Sequence, residues 1–138
     1  MQTYPFYTTL PVQIGDVNYG GHAGNDKYLL FFHEARLRYF RELGVTEADI
    51  GDGVSLTQVE AHIVYKNEAF YGDELVIGVK ITDISRASFK VEYFISRKSD
   101  DAVIGNGYTV LAGFDYRTHR LKKIPASFVD KVSARQAE

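Results

Sequence analysis

The chain has 138 residues and a formal net charge of −2, with 45% hydrophobic and 25% charged residues, a composition typical of a globular protein. This length suits one domain, so residues 1–138 are expected to form a single domain. The small negative charge argues against nucleic-acid binding, because general binding of that kind needs a basic face that displaces counterions. The absence of cysteine excludes disulfides, thiolate metal sites and cysteine nucleophiles.

The sequence contains no predicted targeting or membrane segment. The N-terminal stretch MQTYPFYTTL lacks a basic region followed by an apolar run, so it does not match a signal peptide. The longest apolar run, YLLFF at 28–32, is far too short to span a bilayer. We therefore expect a soluble, cytoplasmic protein that does not act in a membrane.

The first part of the chain is predicted to form a strand and a long helix. Residues 6–14 are β-prone, and Pro11 favours a sheet edge or a bulge. Residues 27–43 contain good helix formers without Gly or Pro, and Gly44 is typical of the position just beyond a helix. Apolar residues cover more than one stripe of this helix, so it should be enclosed on several sides. A short second helical turn is expected at 46–50.

The second part of the chain alternates with a period of two, which predicts four strands. The alternating segments lie at 59–66, 75–82, 89–96 and 104–116. Their short connections predict antiparallel neighbours. The predicted fold class is α+β, a five-stranded antiparallel sheet wrapped around one long central helix. The apolar residues Val64, Val76 and Phe94 on the polar side of these strands indicate that a second copy of the chain covers part of the sheet. The polar tail after Pro125 is expected to fray.

The stretch DVNYGGHAGND, residues 16–26, lies directly ahead of the predicted helix and allows three interpretations. It could be a turn that satisfies backbone groups, with Asn25 capping the helix and Asp26 complementing its dipole. A phosphate cradle is disfavoured, because the glycine spacing matches neither the dinucleotide-binding motif nor the P-loop. It could also be a catalytic loop, in which Asn18 and His22 point at the same place as backbone N–H groups that contact a substrate carbonyl.

The longer stretch DVNYGGHAGNDKYLLFFHEAR resembles the signature of the 4-hydroxybenzoyl-CoA thioesterase family of hotdog-fold proteins. The matching positions are Asp16, Gly21, Asn25, Tyr28, Leu29, Phe32, Glu34 and Arg36, with His22 in the place of the family's Gly-His variants. Two later segments, YKNEAFYGDEL at 65–75 and ISRASFKVEYFI at 84–95, resemble the segments that follow in the family. The resemblance implies a hotdog acyl-CoA thioesterase that pairs into dimers, with active sites at the dimer interface.

The catalytic candidates that this resemblance implies are Asn18, His22, Glu68 and Asp16. Many family members carry a catalytic Asp at the position of Asn18, but a neutral Asn can act neither as nucleophile nor as base. The related plant acyl-carrier-protein thioesterases have a Glu near the position of Glu68, which makes Glu68 the candidate base, plausibly from the partner subunit. Asp16 is the other local carboxylate, and it could instead fix the loop or orient His22.

The substrate-binding candidates are Gly21, Gly24, Asn25, Tyr28, Arg86 and Ser88. Amides around 21–24 would hold the thioester carbonyl, and Tyr28 would line an apolar acyl pocket. Arg86 and Ser88 begin a strand near the pantetheine channel that the family resemblance implies. The remaining histidines show no metal-ligand spacing, so no metal and no other cofactor is predicted, apart from coenzyme A as part of the substrate.

The predicted function is hydrolysis of an acyl-CoA to a free carboxylic acid and coenzyme A by a homodimer or a dimer of dimers. Two alternatives keep the same fold. One is a thioesterase that acts on acyl-carrier-protein thioesters. The other is a non-catalytic acyl-CoA-binding protein, an alternative that the neutral Asn18 leaves open.

Overall fold

The computed structural model describes residues 3–137, which form an antiparallel sheet and two α-helices. The elements in chain order are β1 (Phe6–Pro11), a 3-10 turn (Ile14–Asp16), α1 (Lys27–Leu43), β2 (Ser55–Tyr65), β3 (Glu74–Thr82), β4 (Ser88–Arg97), β5 (Val103–Asp115), β6 (Arg120–Leu121) and α2 (Ala126–Gln136). The strand order is β1-β3-β4-β5-β2, and β6 pairs with β5. No helix in the described part of the chain has both the length and the apolar character needed to cross a membrane.

Helix α1 spans the predicted residues 27–43, and its C-terminal end confirms the expected role of Gly44. Gly44 has a φ of 80°, a left-handed conformation that glycine adopts without steric cost, and its amide donates to the carbonyl oxygens of Phe40 and Arg41. At the other end the prediction that Asn25 caps the helix is wrong. The N-cap position is Asp26, whose side chain makes no capping hydrogen bond.

The core lies between α1 and the inward face of the sheet. The inward residues of β3 and β4 are almost completely buried: Leu75, Ile77, Val79, Ile81, Phe89, Val91, Tyr93 and Ile95. The ring of Phe32 on α1 stacks on Tyr93 with 4.2 Å between centroids. Each buried side chain of this size contributes about 1.5–3 kcal/mol relative to an exposed position. The period-two pattern of these strands is therefore confirmed as the signal of a half-buried sheet.

The antiparallel sheet and the long helix are confirmed, but the predicted counts of five strands and one helix are wrong. The two-residue strand β6 pairs with the end of β5, and α2 buries Phe128 and Val132 against the core. These two residues, four positions apart, are fully buried, and Val129 packs partly against the core, so the otherwise polar sequence of α2 looks like a fraying tail. The helical turn expected at 46–50 is also wrong, since Thr46 and Asp49 exchange backbone hydrogen bonds in a tight non-helical loop.

The side chain of Gln136, the last residue of α2, extends the sheet. Its amide nitrogen donates to the carbonyl oxygen of Ile81 at 2.8 Å, and its Oε1 accepts from the Ile81 amide at 2.8 Å. The hydroxyl of Tyr39 on α1 donates to the same Oε1 at 3.0 Å. Gln136 thus satisfies backbone groups of β3 beyond the point where β1 pairs with it, since the pairing begins at Phe6 and Val79.

The two edge strands of the sheet differ in how they are covered. Arg38 donates to the Thr9 carbonyl oxygen and the Thr8 hydroxyl of β1, and β1 ends at a proline. Strand β2 has no strand on its outer side within residues 3–137, and a bulge between Gln58 and Glu60 leaves Val59 58% exposed. Unprotected edges of this kind readily pair with another chain.

Candidate active site

The loop ahead of α1 folds into a small hairpin that presents His22. Val17 and Ala23 pair across it, the Asn18 amide donates to the His22 carbonyl oxygen at 3.0 Å, and the Gly21 amide donates to the Asn18 carbonyl oxygen at 3.0 Å. Gly21 has a φ of 85°, in the left-handed region where a side chain is strained, so glycine is required for this turn. The glycines of the loop therefore shape the turn that projects the histidine.

This hairpin is joined to the segment 66–73 between β2 and β3. The Ala23 amide donates to the Ala69 carbonyl oxygen at 2.7 Å, and His22 forms an isolated bridge with Phe70. The contact brings Glu68 against the histidine, with 3.3 Å between His22 Nε2 and Glu68 Oε2. The sequence prediction that these two side chains belong to one site agrees with this distance.

The imidazole of His22 is held from its other side. Its Nδ1 lies 3.0 Å from the carbonyl oxygen of Ala23, an acceptor that favours a proton on Nδ1. Nε2 therefore faces Glu68, and it donates to the carboxylate when the ring is doubly protonated. Because one third of the His22 side chain and 62% of the Glu68 side chain are exposed, a substrate and water can reach this pair.

A cavity of about 240 Å³ lies beside the pair. It is lined by His22, Ala23, Asn25, Tyr28, Tyr65, Lys66, Asn67 and Glu68. The rings of Tyr28 and Tyr65 meet edge to face at 4.8 Å, and the Tyr65 hydroxyl donates to the Asn25 carbonyl oxygen at 2.9 Å. Burial raises the pKa of Tyr28, and Tyr65 and Glu68 act in the same direction, so this phenol is a protonated donor. A few polar groups on aromatic walls are typical of a small-molecule site.

The side chains of Asn18 and His22 lie close to each other at Gly20, although Asn18 does not line the cavity. A Cβ atom placed on Gly20 would lie 3.2 Å from Asn18 Oδ1 and 3.4 Å from His22 Nε2. The same Oδ1 accepts a hydrogen bond from the Gly20 amide at 2.9 Å. Asn18 thus stabilises the turn through its hydrogen bond to the Gly20 amide, and its side chain lies next to that of His22.

Asp16 occupies a different place from the one expected for a base. Its Oδ2 accepts from the Gln13 amide at 2.8 Å, and its carbonyl oxygen accepts from the Gly24 amide at 2.9 Å. Its side chain borders a separate cavity together with Leu30, Glu34 and Arg38. Of the roles considered for Asp16, the structure supports the one that fixes the loop.

The amides that were expected to bind a carbonyl are partly engaged within the protein. The Gly21 amide donates to Asn18 and the Gly24 amide to Asp16, so neither is available to a ligand in this conformation. The Asn25 amide, by contrast, meets no protein acceptor among the described residues, and Asn25 lines the cavity. The His22 amide likewise donates to no protein acceptor within residues 3–137, so the amides of His22 and Asn25 are both open to a carbonyl oxygen.

Arg86 and Ser88 do not join the cavity of their own chain. Ser88 begins β4, whereas Arg97, which contacts the Glu68 backbone, ends the same strand. The Ser88 hydroxyl lies 3.0 Å from that of Ser85, and the Arg86 carbonyl oxygen accepts from the Ile124 amide. Both residues are thus nearly the full length of a ten-residue strand away from Glu68.

Besides Ala23 in the catalytic loop, three cavity residues were not among the sequence candidates, namely Tyr65, Lys66 and Asn67. They immediately precede Glu68 in the segment YKNEA, so the proximity to a candidate base was the signal that could have found them. Within residues 3–137 no group of three His, Asp or Glu side chains is arranged to hold a metal ion.

The antiparallel sheet around a long helix, with the cavity at the start of that helix, is the hotdog arrangement that the resemblance implied. A family model described as the thioesterase-like superfamily matches residues 12–132, so the chain belongs to that family. It is 28% identical over 100 residues to an esterase, provisionally so named, of Aquifex aeolicus (strain VF5), a match that spans 72% of this chain and 77% of the relative.

Two solved structures illustrate the similarity of fold. A 1,4-dihydroxy-2-naphthoyl-CoA thioesterase from Synechocystis superposes with a TM-score of 0.84 at 21% identity, covering 93% of this chain and 95% of the other. A thioesterase complexed with coenzyme A and Zn from Thermus thermophilus superposes with a TM-score of 0.82 at 21% identity, covering 100% and 98%.

Proposed function

We propose that this protein hydrolyses acyl-CoA thioesters to a free carboxylic acid and coenzyme A. The observation that carries the proposal is the exposed His22–Glu68 pair, 3.3 Å apart, at a cavity beside the start of α1. Membership of the thioesterase-like superfamily supports the same reaction, as do the Synechocystis relative named as a CoA thioesterase and the Thermus thioesterase complexed with coenzyme A.

In the proposed reaction Glu68 acts as the general base. Its carboxylate removes a proton from a water molecule, whose oxygen attacks the thioester carbonyl carbon and forms a tetrahedral intermediate. When the intermediate collapses, the carbon–sulfur bond breaks and coenzyme A leaves as the thiol, taking the proton that Glu68 accepted, either directly or through His22 Nε2. One water is consumed, and one acid and one thiol are released.

The developing negative charge on the carbonyl oxygen needs preorganised donors. The Asn25 amide at the start of α1 is the proposed donor, and the helix dipole favours negative charge at the same end. Asn18 is neutral and cannot be the base, so its proposed role is to hold water or the carbonyl next to His22. Gly21 and Gly24 contribute through the shape of the loop.

Tyr28 and Tyr65 are the proposed walls for the part of the substrate next to the thioester. Arg86 and Ser88 remain candidates for contacts with a coenzyme A bound by a partner chain. The proposed proton transfers need no metal, since His22 and Glu68 carry them. Because the Thermus relative was solved with Zn, the rate should be compared before and after chelator treatment, and it is expected to stay unchanged.

We further propose that the protein is a single-domain, cytoplasmic homodimer that pairs through the free edge of β2. The exposed Val59 and the exposed Leu29 and Leu30 of α1 would be covered in such a pair. Light scattering after gel filtration tests this. A lysine at Ala61, on the exposed part of β2, should shift the protein towards monomer, and an unchanged mass would count against the β2 interface.

The function is tested with purified protein, a panel of acyl-CoAs and a thiol-detecting reagent. Free coenzyme A should appear with at least one acyl-CoA, and the His22→Ala variant should release it about 10²-fold more slowly. The neutral Asn18 also favours a second candidate, a non-catalytic acyl-CoA-binding protein. Binding of acyl-CoA without turnover of any thioester would select that candidate. Turnover of acyl-carrier-protein thioesters alone would show that the substrate carrier is the acyl carrier protein rather than coenzyme A.

A further inference from the structure

Arg97, at the end of β4, contacts the backbone of the segment that carries Glu68. Its Nη1 donates to the Glu68 carbonyl oxygen at 3.0 Å and to Asp73 Oδ2 at 2.9 Å. The two acceptors lie at either end of the segment 68–73. One guanidinium nitrogen therefore joins the residue that bears the proposed base to the residue that precedes β3.

The same carboxylate of Asp73 also accepts from the Phe70 amide at 2.9 Å. Phe70 is the residue that bridges to His22, and its neighbour Ala69 accepts from the Ala23 amide. The contacts of Arg97 thus continue, through Asp73 and Phe70, to the loop that holds the histidine. Both members of the His22–Glu68 pair are connected to this one arginine.

Arg97 itself is held firmly. It pairs with Leu75 across β3 and β4, and its Nε donates to Asp100 Oδ1 at 3.1 Å. Its side chain is only 16% exposed, and the hydrogen bonds that it donates to Asp73 and Asp100 raise its pKa, so the guanidinium stays charged. A rigid, planar donor of this kind fixes its acceptors in direction as well as in distance.

Glu68, in contrast, lies in a segment without regular secondary structure, and its side chain is 62% exposed. Its carboxylate meets His22 at 3.3 Å with the backbone at 68 in the observed place. We propose that Arg97 is a positioning residue that aligns Glu68 with His22. This inference rests on the proposed function, in which Glu68 is the base.

A double-mutant cycle separates positioning from a general effect on the turn. Arg97→Gln should lower kcat about ten- to a hundredfold with little change in KM, because a displacement of about 1 Å at a catalytic group can have an effect of this size. In a protein that already carries Glu68→Gln, the same change should lower kcat less than about twofold, since Arg97 has no base left to position. Equal losses in both backgrounds would overturn the proposal.

Arg135→Gln is the matched control. Arg135 also holds one carboxylate and one carbonyl oxygen, those of Glu42 and Pro5, but it lies on α2 away from the cavity. It should lower thermal stability by an amount similar to Arg97→Gln and leave kcat unchanged. A similar loss of kcat in both variants would show that Arg97 acts only through stability.

A second measurement does not depend on turnover. The imidazole nitrogen signals of His22, assigned by their absence in His22→Ala, can be followed by ¹⁵N NMR at fixed pH. In Arg97→Gln they should move towards their positions in Glu68→Gln. If Glu68→Gln moves these signals and Arg97→Gln does not, positioning by Arg97 is ruled out. If the wild-type protein turns over no thioester, the proposed function fails, yet this comparison still decides whether Arg97 positions Glu68.

Discussion

Two histidine–glutamate pairs in this protein have the same chemistry but different surroundings. His33 Nε2 lies 2.9 Å from Glu47 Oε1, while the other oxygen of Glu47 accepts from Arg36 Nε at 2.5 Å. Arg36 is almost completely buried and also donates to the Tyr93 hydroxyl at 2.9 Å. Both oxygens of Glu47 are therefore bound, and this carboxylate serves the buried network.

Glu68 stands in the opposite situation. Among the described residues, His22 is its only partner within ion-pair distance, and Arg97 reaches its carbonyl oxygen rather than its carboxylate. A carboxylate that is not neutralised by a buried arginine keeps its capacity to accept a proton from water. The comparison teaches that the partners of the glutamate, rather than the distance to a histidine, distinguish a candidate base from a structural ion pair.

The largest expected effect comes from replacing the two glutamates. Glu68→Gln should lower kcat about 10²- to 10⁴-fold, the range of a general base, with little change in stability. Glu47→Gln should keep its activity but lose about 3 kcal/mol of stability, because buried Arg36 is left without a counter-charge. Initial rates of both variants measure kcat, and urea unfolding of both variants measures the free energy of unfolding. If Glu47→Gln loses activity at temperatures where it is folded, Glu47 is not merely a structural partner, and the proposed distinction between the two pairs is wrong.

The histidines give the next effect. His22→Ala should lower kcat about 10²-fold, since it removes a proton donor for the leaving thiol and the partner of Glu68. His33→Ala removes one of two partners of Glu47 and should leave the rate within about twofold of wild type. Measuring the rate of coenzyme A release by both variants tests this difference between the two histidines. Similar rates for the two variants would remove His22 from the site.

A smaller change is expected at Asn18. Asn18→Asp adds a second carboxylate beside His22 and keeps an oxygen for the Gly20 amide. If proton removal by Glu68 limits the rate, the second carboxylate should raise kcat by about tenfold. The gain over the parent protein should be clearest when Glu68→Gln has removed the original base. The rate of the double variant is the informative measurement. No gain in either background would mean that position 18 does not reach the attacking water.

The smallest effect concerns the tyrosines next to each pair. Burial raises the pKa of Tyr93, beside the Arg36 network, and of Tyr28, beside Glu68. A raised pKa in the folded state means that the stabilising contribution is complete below about pH 10 and is lost as the pH rises through the folded value. Unfolding free energies from urea titrations at about pH 8 and about pH 10.5 should therefore fall with pH. Tyr93→Phe should remove more of this fall than Tyr28→Phe, and the reverse order would contradict the comparison.

The sequence predicted the parts of the fold that repeat a simple period. The inward faces of β3 and β4 and the limits of α1 follow from patterns that burial imposes on every second residue or on nearly the whole helix surface. Helix α2 was missed because it fully buries only Phe128 and Val132. The bulge in β2 hid the start of that strand, since it shifts the register between Gln58 and Glu60.

The sequence predicts only those residues of the candidate site that the family resemblance or a local motif indicates. The sequence predicts His22 and Glu68 as catalytic candidates, and the structure brings their side chains to 3.3 Å of each other. The internal bonds of the Gly21 and Gly24 amides depend on the exact path of the loop, which no spacing rule specifies. Arg97 was not recognised, because it follows Glu68 by 29 residues and acts from the far strand of a hairpin.

The side chain of Gln136 has a consequence for the order in which the molecule is made. It is 55 residues beyond Ile81 and 97 residues beyond Tyr39, the two groups it joins. On the ribosome, this part of β3 stays without its Gln136 contacts until the 55 residues that follow Ile81 have emerged. Such distant contacts slow folding, and an incomplete edge invites pairing with neighbouring nascent chains. The side chain of Gln136 thus caps a part of the sheet edge that the nascent chain leaves open while the intervening residues are made.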